Sequence, residues 1–246
     1  MNRLEDDLDH LHCLIGRLVA TNGLHYLRDC GSSGWPTRGV YFFFENERLG
    51  RGDSPRVVRV GTHALREGEG TTLWSRLRAH RGTQAGALAG GGNHRASVFR
   101  QHVGRALMKS GRHPTILPSW DVGRTADRRT RDAELDLERE VSRYIGGLPF
   151  TTIEIADPAG PGSVRGIIER GAIALLSAAA RQHLVRAEDE WLGFSADRDA
   201  ISESLLWNVK HVNERYDPSF LGSIDALTTV PTDLNRLAPS RASTRW

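Results

Sequence analysis

Arg76 and His80 stand four residues apart in a stretch whose Leu73, Trp74 and Leu77 predict a helix, so a guanidinium and an imidazole share one face. A guanidinium can hold a phosphate through two oxygens at once, and an imidazole can move a proton near neutrality, which together suit phosphoryl chemistry. Asn93-His94-Arg95 stands just ahead of a second helical run, Val98, Phe99, Val103, Ala106 and Leu107, where free backbone amides and cations can receive a phosphate. Glu169 lies among Ile167, Ile168, Ala172, Ile173, Leu175 and Leu176, where an ionised carboxylate costs several kcal/mol unless a cation compensates it. Arg165, one turn earlier, is one candidate cation; a hard divalent ion such as Mg²⁺ or Mn²⁺, which needs only one or two protein carboxylates, is the other. Five of the ten histidines fall between His63 and His113, but their spacings match no zinc-ligand pattern. The glycine-rich loop from Gly86 to Gly92 lacks the Gly-Lys-Ser/Thr ending of a nucleotide-binding P-loop.

The charge distribution points the same way. The net charge is only +3, yet residues 39–131 carry 17 Arg or Lys against seven acids, and residues 132–246 carry 12 against 18. The basic block is almost all arginine, whose planar fork fits phosphates, so Arg59, Arg78, Arg81, Arg95 and Arg100, with Asn93 and His94, are the candidate contacts to a nucleic acid. No apolar run is long enough to span a bilayer, and the acidic start Leu4-Glu5-Asp6-Asp7 does not read as an export signal. Cys13 and Cys30 make neither a disulfide framework nor a cysteine-type zinc site, so a reducing, cytoplasmic setting is expected.

The elements that must position these groups follow from periodicity. Leu4, Leu8, Leu11, Ile15 and Leu18 predict a helix over 3–21, ended by Gly23; its stripe fits either the protein's own core or a homodimer seam. Residues 31–38 read as a linker. Gly39–Glu45 and Val57–Thr62 predict two strands of a long-looped hairpin, and Phe150–Ile155 predicts a third. Helices are expected from Thr71 or Thr72, which can cap, over 132–145, from Ser163 to Ala180, and around Ile201–Val212, with tail composition from Thr228. The expected fold is α+β: a small three-stranded antiparallel sheet flanked by helices. The expected division is 1–37 (N-terminal helix and linker), 38–180 (core), 181–228 (C-terminal helical extension) and 229–246 (tail).

The order of these pieces resembles the GIY-YIG nuclease family. Gly39-Val40-Tyr41 is similar to the first signature tripeptide, Arg59-Val60-Gly61 to the second, Arg76 to the family's helix arginine and Glu169 to its later-helix glutamate; Arg76 with His80 is similar to the restriction-enzyme branch. Two departures stand out. Arg59 replaces the usual tyrosine of the second tripeptide, and no asparagine occurs in the 20 residues after Glu169, where many members have one.

The resemblance implies metal-dependent hydrolysis of DNA phosphodiesters, with restriction or another defence role as the candidate setting. Tyr41 or His80 would take the proton from water, Arg76 would hold the scissile phosphate, and Glu169 would hold Mg²⁺ or Mn²⁺. Arg59 would contact a phosphate in the tyrosine's place or pair with a nearby acid. Two alternatives remain at this stage: a nucleic-acid-binding module that has lost turnover, and a repair or recombination nuclease for branched DNA.

Overall fold

The computed structural model describes residues 3–45 and 55–229. Its helices are α1 (Arg3–Asn22), α2 (Leu73–Arg81), α3 (Val98–Lys109), α4 (Arg128–Gly147), α5 (Val164–Arg181), α6 (Asp199–Ser204) and α7 (Ser219–Thr229); its strands are β1 (His25–Tyr26), β2 (Gly39–Phe44), β3 (Val57–Gly61) and β4 (Pro149–Glu154). The fold is α+β, as expected, but the sheet has four antiparallel strands rather than three, in the order β1-β4-β2-β3. The extra strand pairs only His25 with Phe150 and Tyr26 with Pro149, too short for any alternation to announce it.

β2 is the centre of the sheet, and its fully buried Gly-Val-Tyr-Phe-Phe-Phe explains why. Side chains alternate across a strand, so Val40, Phe42 and Phe44 enter one core with α1, α5 and α7, while Tyr41 and Phe43 enter the other with α2, α3 and α4. Directly paired residues share a face. Arg59 lies opposite Phe43 and Gly61 opposite Tyr41, which sends all four toward the second core.

The stripe on α1 is spent inside the protein. Leu4, Leu8, Leu11, Leu14, Ile15 and Leu18 are all buried in the core shared with α5 and α7, leaving no apolar face for the homodimer seam considered over residues 3–21. α1 packs into this core, and α7, unrecognised in the sequence, packs on it.

The expected helix over Ile201–Val212 is corrected too. α6 stops at Ser204 because Leu205 adopts a left-handed backbone, φ 55°. The chain then runs along the outer edge of β3: Trp207 N donates to Val58 O at 2.7 Å, and the Asn208 side chain accepts from Val60 N (3.1 Å) and donates to Val60 O (2.9 Å). An open strand edge is thus closed by a short extended segment.

Candidate active site

Two glycines decide where Tyr41 lies. A Cβ on Gly39 would stand 2.2 Å from Ile153 O, so that position admits only hydrogen if β2 is to pair closely with β4; a Cβ on Gly61 would stand 2.2 Å from the Tyr41 hydroxyl. The phenol therefore lies across the bare backbone of β3. It has no solvent exposure, and its oxygen meets His80 Nε2 at 2.9 Å.

α2 supplies that histidine. Thr72 caps the helix by accepting from Ser75 N, and Leu73, Leu77 and His80 turn inward together. His80 is wholly buried, with Nδ1 2.7 Å from Ser97 Oγ. Ser97 caps α3, its oxygen accepting from Arg100 N at 3.3 Å. The ring therefore bridges two hydroxyls: with the proton on Nε2 it donates to Tyr41 and accepts from Ser97, and with the proton on Nδ1 it donates to Ser97 and accepts from Tyr41. Burial, and then the charges of Arg76, Arg59 and Arg100, hold the His80 imidazole well below its ordinary range, so it is neutral at physiological pH.

Arg76 is one turn before His80 on α2 but is half-exposed. It lines a cleft of about 290 Å³ with Thr62, His63, Ala64, Thr71, Ser75 and Ala79, and it makes no ion pair or side-chain hydrogen bond among the described residues. The segment following β3 also bounds a second cleft, of about 630 Å³, lined by Glu169, Arg66, Arg170 and His211 among others. Glu169 projects from α5 and accepts from Thr62 N at 3.2 Å. Burial pushes its carboxyl above the usual range, offset only in part by Arg59, the Thr62 amide, His211 and Arg76. Arg165 is not its partner: that guanidinium is fully buried and paired with Asp157.

Tyr41, Arg76, His80 and Glu169 are thus brought together from β2, α2 and α5 around the end of β3. Most of the expected nucleic-acid contacts are not part of this surface. Arg59 is 7% exposed and turned inward. Arg100 is fully buried against Glu138, with contacts of 2.9 and 2.5 Å, and also donates to His80 O at 2.8 Å. His94 is buried, its backbone N and its Nδ1 both on Glu138, and its Nε2 accepting from Asp121 N. Burial raises the Glu138 carboxyl, yet His94 and Arg100 outweigh it and hold the group below its ordinary range. Arg95 is clamped at both nitrogens by Glu134 (2.7 and 2.8 Å). Arg81 donates to Cys30 O and lies over the Trp74 ring. Only Arg78 and Asn93 of that group are exposed. Those charges therefore lock α2, α3 and α4 together; sequence spacing did not identify Glu134 and Glu138 as their partners. Ser97 was also missed, because a serine before an apolar run reads as a cap and nothing more.

A metal cage built from protein alone is absent among the described residues, where no three His, Cys, Asp or Glu cluster. A hard ion that keeps most of its waters fits the donor set better: Glu169 is half-buried, incompletely compensated, and has an oxygen beyond the Thr62 contact.

A family model for the GIY-YIG domain matches residues 1–232. Comparisons with curated proteins and with solved structures gave no match.

Proposed function

Because this chain belongs to the GIY-YIG domain family, whose domain implies a nuclease-type function, we propose that it is a metal-dependent endonuclease hydrolysing DNA phosphodiesters at the end of β3, where one cleft is lined by Arg76 and the next by Glu169. The observation that supports this most is the convergence of an arginine unpaired among the described residues, an under-compensated, half-buried carboxylate and a tyrosine–histidine pair from three separate elements.

In this scheme Arg76 binds a nonbridging oxygen of the scissile phosphate and offsets charge as it develops. Water oxygen forms a bond to phosphorus, and the bond to the departing sugar oxygen breaks with its electron pair on that oxygen. The water proton passes to the Tyr41 oxygen, which must start as the phenolate and ends as the neutral phenol, and solvent protonates the departing alkoxide and afterwards takes the phenol's proton back. His80 orients the phenol and Ser97 orients the imidazole. Tyr41 has no exposed surface, so the cleft must widen as phosphate enters. Glu169 would hold Mg²⁺ or Mn²⁺, whose Lewis acidity would stabilise the leaving oxygen.

Restriction or defence fits the Arg76–His80 spacing but depends on a sequence specificity that no base-reading element here reveals. A supercoiled plasmid incubated with the full chain and Mg²⁺ or Mn²⁺ tests the reading. Nicked and linear products are expected. Tight binding without cleavage in either metal would favour a binding module instead, and preferential cutting of forked or four-way substrates would favour a repair role.

A further inference from the structure

Arg59 is a buried cation with no ion-pair partner among the described residues. Among the described residues, the fully buried Arg56, Arg100 and Arg165 each face a carboxylate, from Glu45, Glu138 and Asp157 respectively. Arg59 has none. Its Nη1 donates to Trp207 O at 2.6 Å, its guanidinium lies 4.8 Å from the Phe99 ring centroid, and its Nε has no partner. A cation so placed is unfavourable unless something nearby bears negative charge during the protein's working cycle. Burial lowers its affinity for its proton; of the neighbours acting the other way Tyr41 is the strongest, ahead of Glu169.

The Tyr41 oxygen shows the complementary pattern. His80 Nε2 lies 2.9 Å from it, and Arg59, two residues before the Gly61 that faces Tyr41 across the β2–β3 ladder, is its cationic neighbour. A guanidinium beside the phenol suits an oxygen that bears negative charge.

We propose that Arg59 is the counter-cation of Tyr41 in its phenolate form, a positioning residue that supplies by charge what this chain lacks in having no tyrosine in its second signature tripeptide. The inference rests on the proposed role of Tyr41 as acceptor of the water proton. It makes the replacement at position 59 a working variant rather than a sign of lost activity. It also withdraws Arg59 from the DNA-contact surface, since a guanidinium held by Trp207 O and Phe99 cannot reach a phosphate.

A double-mutant cycle in the full chain tests it, using Arg59→Met and Arg59→Lys in wild-type and Tyr41→Phe backgrounds with Mg²⁺ and a DNA duplex. Arg59→Met should lower kcat by about 10- to 100-fold, as expected for loss of a preorganised charge, with KM and DNA Kd nearly unchanged. Its Tm should not fall, because an apolar chain replaces an unpaired buried charge. Arg59→Lys should recover part of kcat. In the Tyr41→Phe background Arg59→Met should cost nothing further. An equal loss in both backgrounds would overturn the proposal while leaving the nuclease reading intact. So would unchanged kcat with a lowered Tm, or a drop of about 0.9 in the log–log salt slope of binding, which would mark a phosphate contact. Should the wild-type chain not cut DNA at all, the nuclease reading fails separately, and ultraviolet absorption still decides Arg59. At a fixed alkaline pH the tyrosinate signal that Tyr41→Phe removes should be weaker in Arg59→Met; equal signals would refute the pairing.

Discussion

At the scale of single residues, the site divides between groups that line the two clefts at the end of β3 and groups that lie behind them. Arg76 and Glu169 are the former, and their loss should be felt in different constants. Arg76→Ala should reduce kcat more than it raises KM, because the charge it offsets grows toward the transition state; a pure KM effect would make it a binding contact only. Glu169→Gln keeps the shape and the Thr62 contact but removes a carboxylate that burial disfavours. It should raise thermal stability at neutral pH while abolishing cleavage. The sign follows from the raised carboxyl: its ionised form costs the folded state free energy above the folded pKa, and that cost is relieved as pH falls through it. Cleavage by the wild type should correspondingly fade at a higher pH than an ordinary glutamate near 4.3 would set. Replacing Tyr41 with Phe removes only a hydroxyl and should spare folding and DNA affinity while lowering turnover, as measured by single-turnover kinetics.

At the scale of elements, the close contact between β3 and the phenol carries a prediction of its own. Gly61→Ala puts a methyl where the Tyr41 oxygen now is, 2.2 Å away, so it should destabilise the protein by about 1–3 kcal/mol and misplace Tyr41, visible as a lower Tm together with lost cleavage. The element pattern was largely legible in the sequence. β2, β3, β4 and α5 declare themselves through alternating or helical apolar spacing, and the elements that carry Tyr41, Arg76, His80 and Glu169 form where that spacing predicts them. What remained hidden was settled by partners distant in the chain. Arg95 and Arg100 look like free phosphate ligands until α4 brings Glu134 and Glu138 against them. The Ile201–Val212 stretch has helical spacing, yet Trp207 and Asn208 gain more by closing the edge of β3. β1 is two residues long and α7 follows a proline-containing loop, and neither leaves a readable period.

For the whole molecule, α1 and α7 join β2, β3 and β4 in one core, so deleting residues 3–21 should unfold the chain rather than yield a folded monomer, and Leu11→Ala alone should cost about 2–5 kcal/mol by chemical denaturation. Acid should weaken the fold early. Burial lowers His80 well below 6.5, His102 below it, and His63 to about 4. The unfolded chain takes up those protons first, so stability is complete above about pH 6.5 and declines as pH falls toward the folded values; a Tm that holds constant from pH 7 to 5 would contradict this. The most direct measurement of the central claim compares supercoiled plasmid cleavage by the wild-type and Glu169→Gln chains in Mg²⁺, Mn²⁺ and chelator. Nicked and linear DNA from the wild type in metal alone, with none from Glu169→Gln, is the predicted result. A Glu169→Gln chain that cuts at the wild-type rate, or a wild type that cuts equally well in chelator, would contradict the account.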